Sequence, residues 1–263
     1  MAASGLSMYV GAAFAVILFA SYPPAVVTWL RVGFASLVIL ALTRPRLKDF
    51  SNANALAYGV VTFCMNWAFY EAIARLPLGA AVSMEFVGPV AVAAWGSRSA
   101  RDWASLVAAA VGVMVLGGTN WGASKSGVIL ILVSGAMWAG YIVASKRVSS
   151  KDAKPFTTMG VGFTYASALF SPILLVSWPV DADINVGTTI AVGLGLGIMS
   201  GVVPYGLDQI SLKLASPAYF AVASAILPLT ATLVGAVVLR QWLSPLELVG
   251  VALIVFAVAS RRP

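Results

Sequence analysis

The chain has 263 residues, 60% of them hydrophobic and only 10% charged, with a mean hydropathy of +0.95; a soluble domain carries about 25% charged residues, so too little charge is present to coat a water-soluble fold of this size. The net charge of +7 comes from Lys and Arg in short breaks between apolar blocks, with no stripe interleaved with exposed aromatics, so membrane orientation explains it and nucleic-acid binding does not. Cys64 is the sole cysteine and histidine is absent, which removes a disulfide framework, a clustered Cys/His metal centre and a His-based triad, and no cofactor is implied.

Apolar blocks between polar or Pro/Gly breaks predict an all-α membrane protein of about ten transmembrane helices, near 6–21, 26–43, 54–75, 78–97, 102–119, 126–147, 155–178, 187–210, 217–240 and 245–261. Blocks of roughly 18 to 24 residues suffice to cross about 30 Å of hydrocarbon. The first holds an apolar run from Met8 to Ala20 with no basic flank, so it reads as a short first span and not as a cleaved signal. In the second, Arg31 lies about a turn and a half below the outer surface. The third places Asn66 and Tyr70 one turn apart on one face, with Trp67 beside them, and ends on Glu71 and Arg75, an i,i+4 pair in the favourable order. The fourth carries Glu85 to a depth similar to that of Arg31, then Pro89; Trp138 and Tyr141 share a face of the sixth. The eighth sets Asp208 near its inner end, just after Pro204 and Tyr205, and the ninth contains Pro228. Spans consume nearly the whole chain, so function is expected within the bilayer.

Alternate loops differ in basic charge. One set, with the termini, holds Arg44, Arg46, Lys48, Arg98, Arg101, Lys146, Arg147, Lys151, Lys154, Lys213, Arg261 and Arg262; the other holds Arg75, Lys125 and Arg240. This asymmetry predicts both termini in the cytoplasm and favours an even number of spans. Trp29, Trp95, Trp103, Trp121, Trp178 and Trp242 fall near span ends, as belt residues do, whereas Trp67 and Trp138 fall well inside, where an indole either packs the bundle or walls a cavity.

The second half echoes the first. Glu71 to Pro89 (EAIARLPLGAAVSMEFVGP) resembles Gln209 to Pro228 (QISLKLASPAYFAVASAILP), with Arg75 answering Lys213 and Pro89 answering Pro228 after one inserted residue, and Gly33-Phe34 answers Gly162-Phe163. Two repeats of five spans each must cross the membrane in opposite senses. The expected architecture is therefore two inverted five-helix repeats, which suit alternating access around a midplane site marked by paired Pro-interrupted helices; the prolines also serve as simple bends for packing.

An ionisable group at mid-span costs about 2.5 to 3.5 kcal/mol on insertion scales, so each needs a partner, a wet cavity or a function. Away from the loops these groups are Arg31, Glu71, Glu85 and Asp208. Glu71 is assigned to its pair with Arg75. Glu85 is expected to face a central cavity, with Arg31 holding its charge or competing for it when a substrate or proton arrives. Asp208 either faces that cavity, where a break at Pro204 exposes backbone, or snorkels to the cytoplasmic side beside Lys213. With Asn66, Trp67, Tyr70, Trp138 and Tyr141, these residues make an aromatic-walled site with few polar fixtures, the usual composition of a small-molecule site.

The stretch from Met65 to Arg98, MNWAFYEAIARLPLGAAVSMEFVGPVAVAAWGSR, resembles the corresponding part of the RhtA-type threonine/homoserine exporters in the EamA branch of the drug/metabolite transporter superfamily. The similarity includes Met65-Asn66, Phe69-Tyr70, Pro77-Leu78-Gly79, Glu85-Phe86, Gly88-Pro89 and Ser97-Arg98, and weaker similarity runs from Arg31 to Pro245. The resemblance implies a carrier of the bacterial inner membrane, not an enzyme, with two EamA-like repeats over 1–121 and 125–263, exporting small amino acids in exchange for protons. Arg31, Asn66, Tyr70 and Glu85 match the family's pattern, Tyr205 follows the same proline, and Asp208 stands where the family has a glutamate. The chain departs where the family's Met-Glu-Pro becomes Ile226-Leu227-Pro228 and its Gly-Glu becomes Arg240-Gln241. Losing a carboxylate at Leu227 removes an ammonium partner or proton site from the second half. Two alternatives stand beside this reading. A carrier of another metabolite or a cationic drug would turn both Glu85 and Asp208 into an aromatic cavity; a membrane-embedded enzyme would need a nucleophile, acid/base pair or metal site, and no such set is recognisable.

Overall fold

The computed structural model describes residues 2–94, 99–121, 124–148, 154–179, 185–214, 224 and 226–259; Trp95, Arg98, Lys151, Arg261 and Arg262, used above for membrane orientation, lie outside them, as does part of the second repeat segment. The described residues form helices and connecting turns with no strand. In chain order these are α1 (Ala2–Leu18), α2 (Pro24–Thr43), a 3-10 turn (Leu47–Ser51), α3 (Ala53–Ile73), α4 (Leu78–Glu85), α5 (Val87–Ala94), α6 (Ala100–Trp121) and α7 (Lys125–Val148). They continue with α8 (Pro155–Leu169), α9 (Pro172–Ser177), α10 (Val186–Leu196), a π-helical turn (Gly197–Val202), α11 (Val203–Leu214), α12 (Ile226–Leu239) and α13 (Pro245–Ala259).

Local chemistry sets many of these boundaries. Pro24 and Pro155 open α2 and α8, at the position where a missing N–H costs nothing. Asn52 and Asn185 cap α3 and α10 by accepting backbone N–H groups of Asn54 and of Gly187 and Thr188. Ser244 and Glu247 form a reciprocal capping box before α13.

Pro24–Thr43, Lys125–Val148 and Val186–Leu214 are long and apolar enough to cross a membrane by themselves, and shorter apolar helices cover Ala3–Leu18, Leu78–Val92, Ile226–Leu239 and Pro245–Ala257. Large apolar side chains such as Phe14, Leu37, Leu233 and Phe256 point outward, as they do when hydrocarbon is the solvent.

Three sequence blocks read as continuous are interrupted. The fourth breaks at Phe86, between α4 and α5; the seventh breaks at Phe170 and Ser171, before Pro172; the eighth passes through the π turn before Pro204. Each break precedes a proline closely, the π turn ending two residues before Pro204, and the proline's missing N–H leaves a carbonyl of the preceding turn without its helical partner.

Packing links the two halves of the chain in a regular way. α3 lies against α7, and the π turn with α11 lies against α1; α4 and α5 lie against α7, and α12 lies against α1. α3 also meets α8, as α2 meets α10 and the π turn, while α2 pairs with α8 and α6 with α13. At three of these crossings glycine faces glycine. A Cβ on Gly59 would lie 1.9 Å from the Gly162 carbonyl oxygen, one on Gly88 would lie 2.0 Å from that of Gly135, and one on Gly112 would lie 2.8 Å from that of Gly250. Backbones touch there directly, the close approach that small residues allow between helices in lipid.

Candidate functional site

Where α1, α2, α3, α4, α7, α11 and α12 converge, they line a cavity of about 30 Å³. That is room for water rather than for a ligand pocket of about 300 to 1,000 Å³. Its lining includes Arg31, Asn66, Glu85, Trp138, Tyr141, Tyr205 and Asp208, residues drawn from α2, α3, α4, α7 and α11.

Glu85 is the last residue of α4, and the helix break delivers its carboxylate to α7, where it meets the Ser134 hydroxyl. Ser134 Oγ also lies 2.9 Å from the Met65 carbonyl oxygen. Asn66 donates through Nδ2 to the Thr62 carbonyl and to Tyr205 Oη, both at 2.7 Å. Asp208 lies across the cavity, accepting from Ser4 Oγ at 3.2 Å and from Tyr141 Oη at 3.3 Å. It therefore joins the cavity wall, which favours the first of its two sequence readings over a place beside Lys213. Trp138 packs edge-on against Phe86, and Tyr141 edge-on against Tyr205, so the walls are aromatic.

The direct Arg31–Glu85 pair envisaged from the sequence is not formed. Among the described residues Arg31, 2% exposed, has no carboxylate partner; its Nε and Nη2 reach the Ser200 carbonyl oxygen at 3.1 and 2.5 Å. Its guanidinium lies over the rings of Tyr70 and Tyr205, 5.2 and 5.6 Å from their centroids. The physical reason is the eighth block's break, which presents a carbonyl at the depth of Arg31. Glu71 and Arg75 do pair, at 2.7 Å on a partly exposed surface.

Two other expected residues lie outside the cavity lining. Tyr70 is buried beneath Arg31. Trp67 faces the opposite way, toward Cys64 and Leu130, and meets Phe63 and Phe170 edge-on. Trp67→Phe is accordingly expected to leave the transport rate within about twofold of wild type, measured at matched protein levels, since Trp67 packs against the core away from the cavity and its loss affects how much protein folds rather than the site. Pro89 follows the break at Phe86 and Pro228 is the third residue of α12; neither lines the space, although Leu227, next to Pro228, does. Gln241 accepts from the Leu78 N–H at 2.9 Å and so holds the first turn of α4.

A profile of the EamA-like transporter family matches residues 125–260, more than half of the chain. The threonine/homoserine exporter RhtA of Escherichia coli (strain K12) is 31% identical over 244 residues, 88% of this chain and 79% of the relative. The chain belongs to the EamA-like transporter family. RhtA of Salmonella typhimurium (strain LT2) is 30% identical over 257 residues, 95% of this chain and 86% of its own. A transporter of Bacillus subtilis (strain 168), YwfM, is 31% identical over 155 residues, 57% of this chain and 51% of its own. One crystal structure at 21% identity superposes with a TM-score of 0.69 over 97% of this chain and 93% of the other, a likeness of fold alone. This EamA-like protein is thus a multi-pass membrane transporter.

Sequence reasoning did not name the residues that α1 contributes. Ser4 and Tyr9 line the cavity, and Tyr9 Oη, on a residue 1% exposed, has no hydrogen-bond partner among the described residues. A small hydroxyl in an apolar run carries no sequence signal. Ser134 did carry one, standing one helical turn before Trp138 on the same face.

Proposed function

We propose that this EamA-like protein is an inner-membrane exporter of small amino acids, threonine or homoserine in kind, working by alternating access with protons as counter-ions. One observation carries the reading: one cavity holds carboxyls from both halves of the chain, Glu85 and Asp208, together with one cation, Arg31, and aromatic walls. That set matches a zwitterion, with carboxylates for an ammonium and a cation for a carboxylate. The two RhtA relatives, named for threonine and homoserine export, supply the substrate class.

Ten spans in two inverted repeats, 1–121 and 125–263, with both termini in the cytoplasm, complete the proposal. Its support is the exchange symmetry of the packing. The third span lies on the sixth as the eighth lies on the first, the fourth lies on the sixth as the ninth lies on the first, and the second and fifth each lie on their own counterparts. Swapping the halves leaves that pattern unchanged, which is the geometry alternating access requires.

Support for proton coupling comes from Ser134. Its one hydroxyl proton faces two acceptors, Glu85 and the Met65 carbonyl. A protonated Glu85 donates to Ser134 Oγ and frees that proton for Met65; an ionised Glu85 takes it and leaves Met65 without it. Proton gain and loss at Glu85 is therefore transmitted to the backbone of α3.

The test is efflux from cells loaded with threonine, homoserine or an aromatic dipeptide, with and without the protein, under an imposed pH gradient. Faster efflux of the amino acids, steepened by outside acidity, is expected. Unchanged efflux of all of them removes the reading. A carrier for cationic drugs is the second reading, favoured by two carboxyls facing an aromatic cavity; the buried Arg31 charge opposes it, and accumulation of a lipophilic cation distinguishes the two.

A further inference from the structure

The eighth block poses an accounting question about backbone carbonyls. Pro204 has no N–H to donate. In α register that N–H would have met the Ser200 carbonyl, and in the π register of Gly197–Val202, where the Val203 N–H reaches the Ile198 carbonyl, it would have met that of Met199. Both carbonyls are taken by side chains from other helices. Ser7 Oγ donates to the Met199 carbonyl at 2.6 Å, and Arg31 donates through two nitrogens to that of Ser200. Gly11 makes room for the Ser200 side chain, since a Cβ there would lie 2.0 Å from Ser200 Oγ.

A forked guanidinium matches a planar carboxylate better than it matches one carbonyl oxygen. Arg31 borders the cavity, lies over two tyrosine rings, and has no carboxylate partner among the described residues. We infer that Arg31 is the residue that recognises the substrate's carboxylate, and that the Ser200 carbonyl holds its place until the substrate arrives. This assignment rests on the amino-acid reading and narrows it: the transported molecule must carry a free carboxylate. Binding moves the guanidinium off Ser200 and releases the π turn, so recognition and movement of the broken helix are one event.

The experiment compares binding of threonine and threoninamide, which differ only at the carboxylate, by purified protein in lipid nanodiscs using calorimetry. Wild type is expected to prefer threonine by about tenfold or more, the range of a charge-assisted hydrogen-bonded pair. Arg31→Gln is expected to bring the two ligands within about threefold of each other by weakening threonine alone, and Arg31→Lys to fall between. Pro204→Ala restores an N–H that, once the turn returns to α register, meets the Ser200 carbonyl and frees Arg31, so threonine binds more tightly and threoninamide is unchanged, a selective gain that a merely structural arginine would not give. If Arg31→Gln does not fold, Arg31→Lys and Pro204→Ala decide the matter. An undiminished threonine preference in either Arg31 variant, or equal weakening of both ligands in Pro204→Ala, overturns the assignment and leaves the exporter reading standing. Wild type that binds neither ligand overturns both.

Discussion

Glu85→Gln is expected to lower amino-acid efflux by about tenfold or more and to flatten its response to an imposed pH gradient. Glutamine has nearly the same shape and still reaches Ser134, so α4, α7 and their packing stay in place. What it loses is charge and an exchangeable acidic proton. A hydrogen bond to a charged group is worth about 1.5 to 3 kcal/mol, which is roughly 10- to 150-fold in an equilibrium. Efflux from preloaded cells at matched protein levels, repeated with acid outside and with equal pH on both sides, gives the two readouts. A variant that keeps both the rate and the gradient response would place Glu85 outside the transport cycle.

The second large effect falls on folding. Gly59→Val puts a branched side chain where a single Cβ already lies 1.9 Å from the Gly162 carbonyl oxygen. The obstacle is backbone, which cannot swing aside as a flexible side chain does, so α3 and α8 must separate. Overpacking costs about 1 to 3 kcal/mol even where side chains yield, and loss of folded, monodisperse protein after extraction is the expected outcome. Gly195→Val is the control, because nothing lies within 4 Å of a Cβ there. A melting temperature for Gly59→Val equal to that of the control would mean that this crossing is looser than described.

Much of this architecture was legible in the sequence because hydropathy and helix length are linked by the thickness of a bilayer. The block at 26–43 needed only apolar residues, and α2 occupies it with two residues added before it. The breaks at Phe86 and at Gly197–Val202 were harder to see. A proline announces that a carbonyl is freed but not which side chain takes it. For Pro204 the takers are Arg31 and Ser7, more than 160 residues distant in the chain, and no local pattern records such a meeting. Charge made Arg31, Glu85 and Asp208 conspicuous, since each is costly in hydrocarbon. It did not give their partners: Glu85 turned to Ser134 and Arg31 to a backbone oxygen. Trp67 and Trp138 looked alike, both indoles in mid-span, and only the facing helices separated a wall of the cavity from a packing residue.

The three glycine crossings, Gly59 with Gly162, Gly88 with Gly135 and Gly112 with Gly250, all join the first half of the chain to the second. Surfaces locked by interdigitated side chains resist sliding, because every knob must leave its hole. Bare backbone against bare backbone has few knobs to lift. At these three crossings the seam between the halves is therefore like a bearing surface, close enough to resist separation and with few side chains standing in the way of rotation.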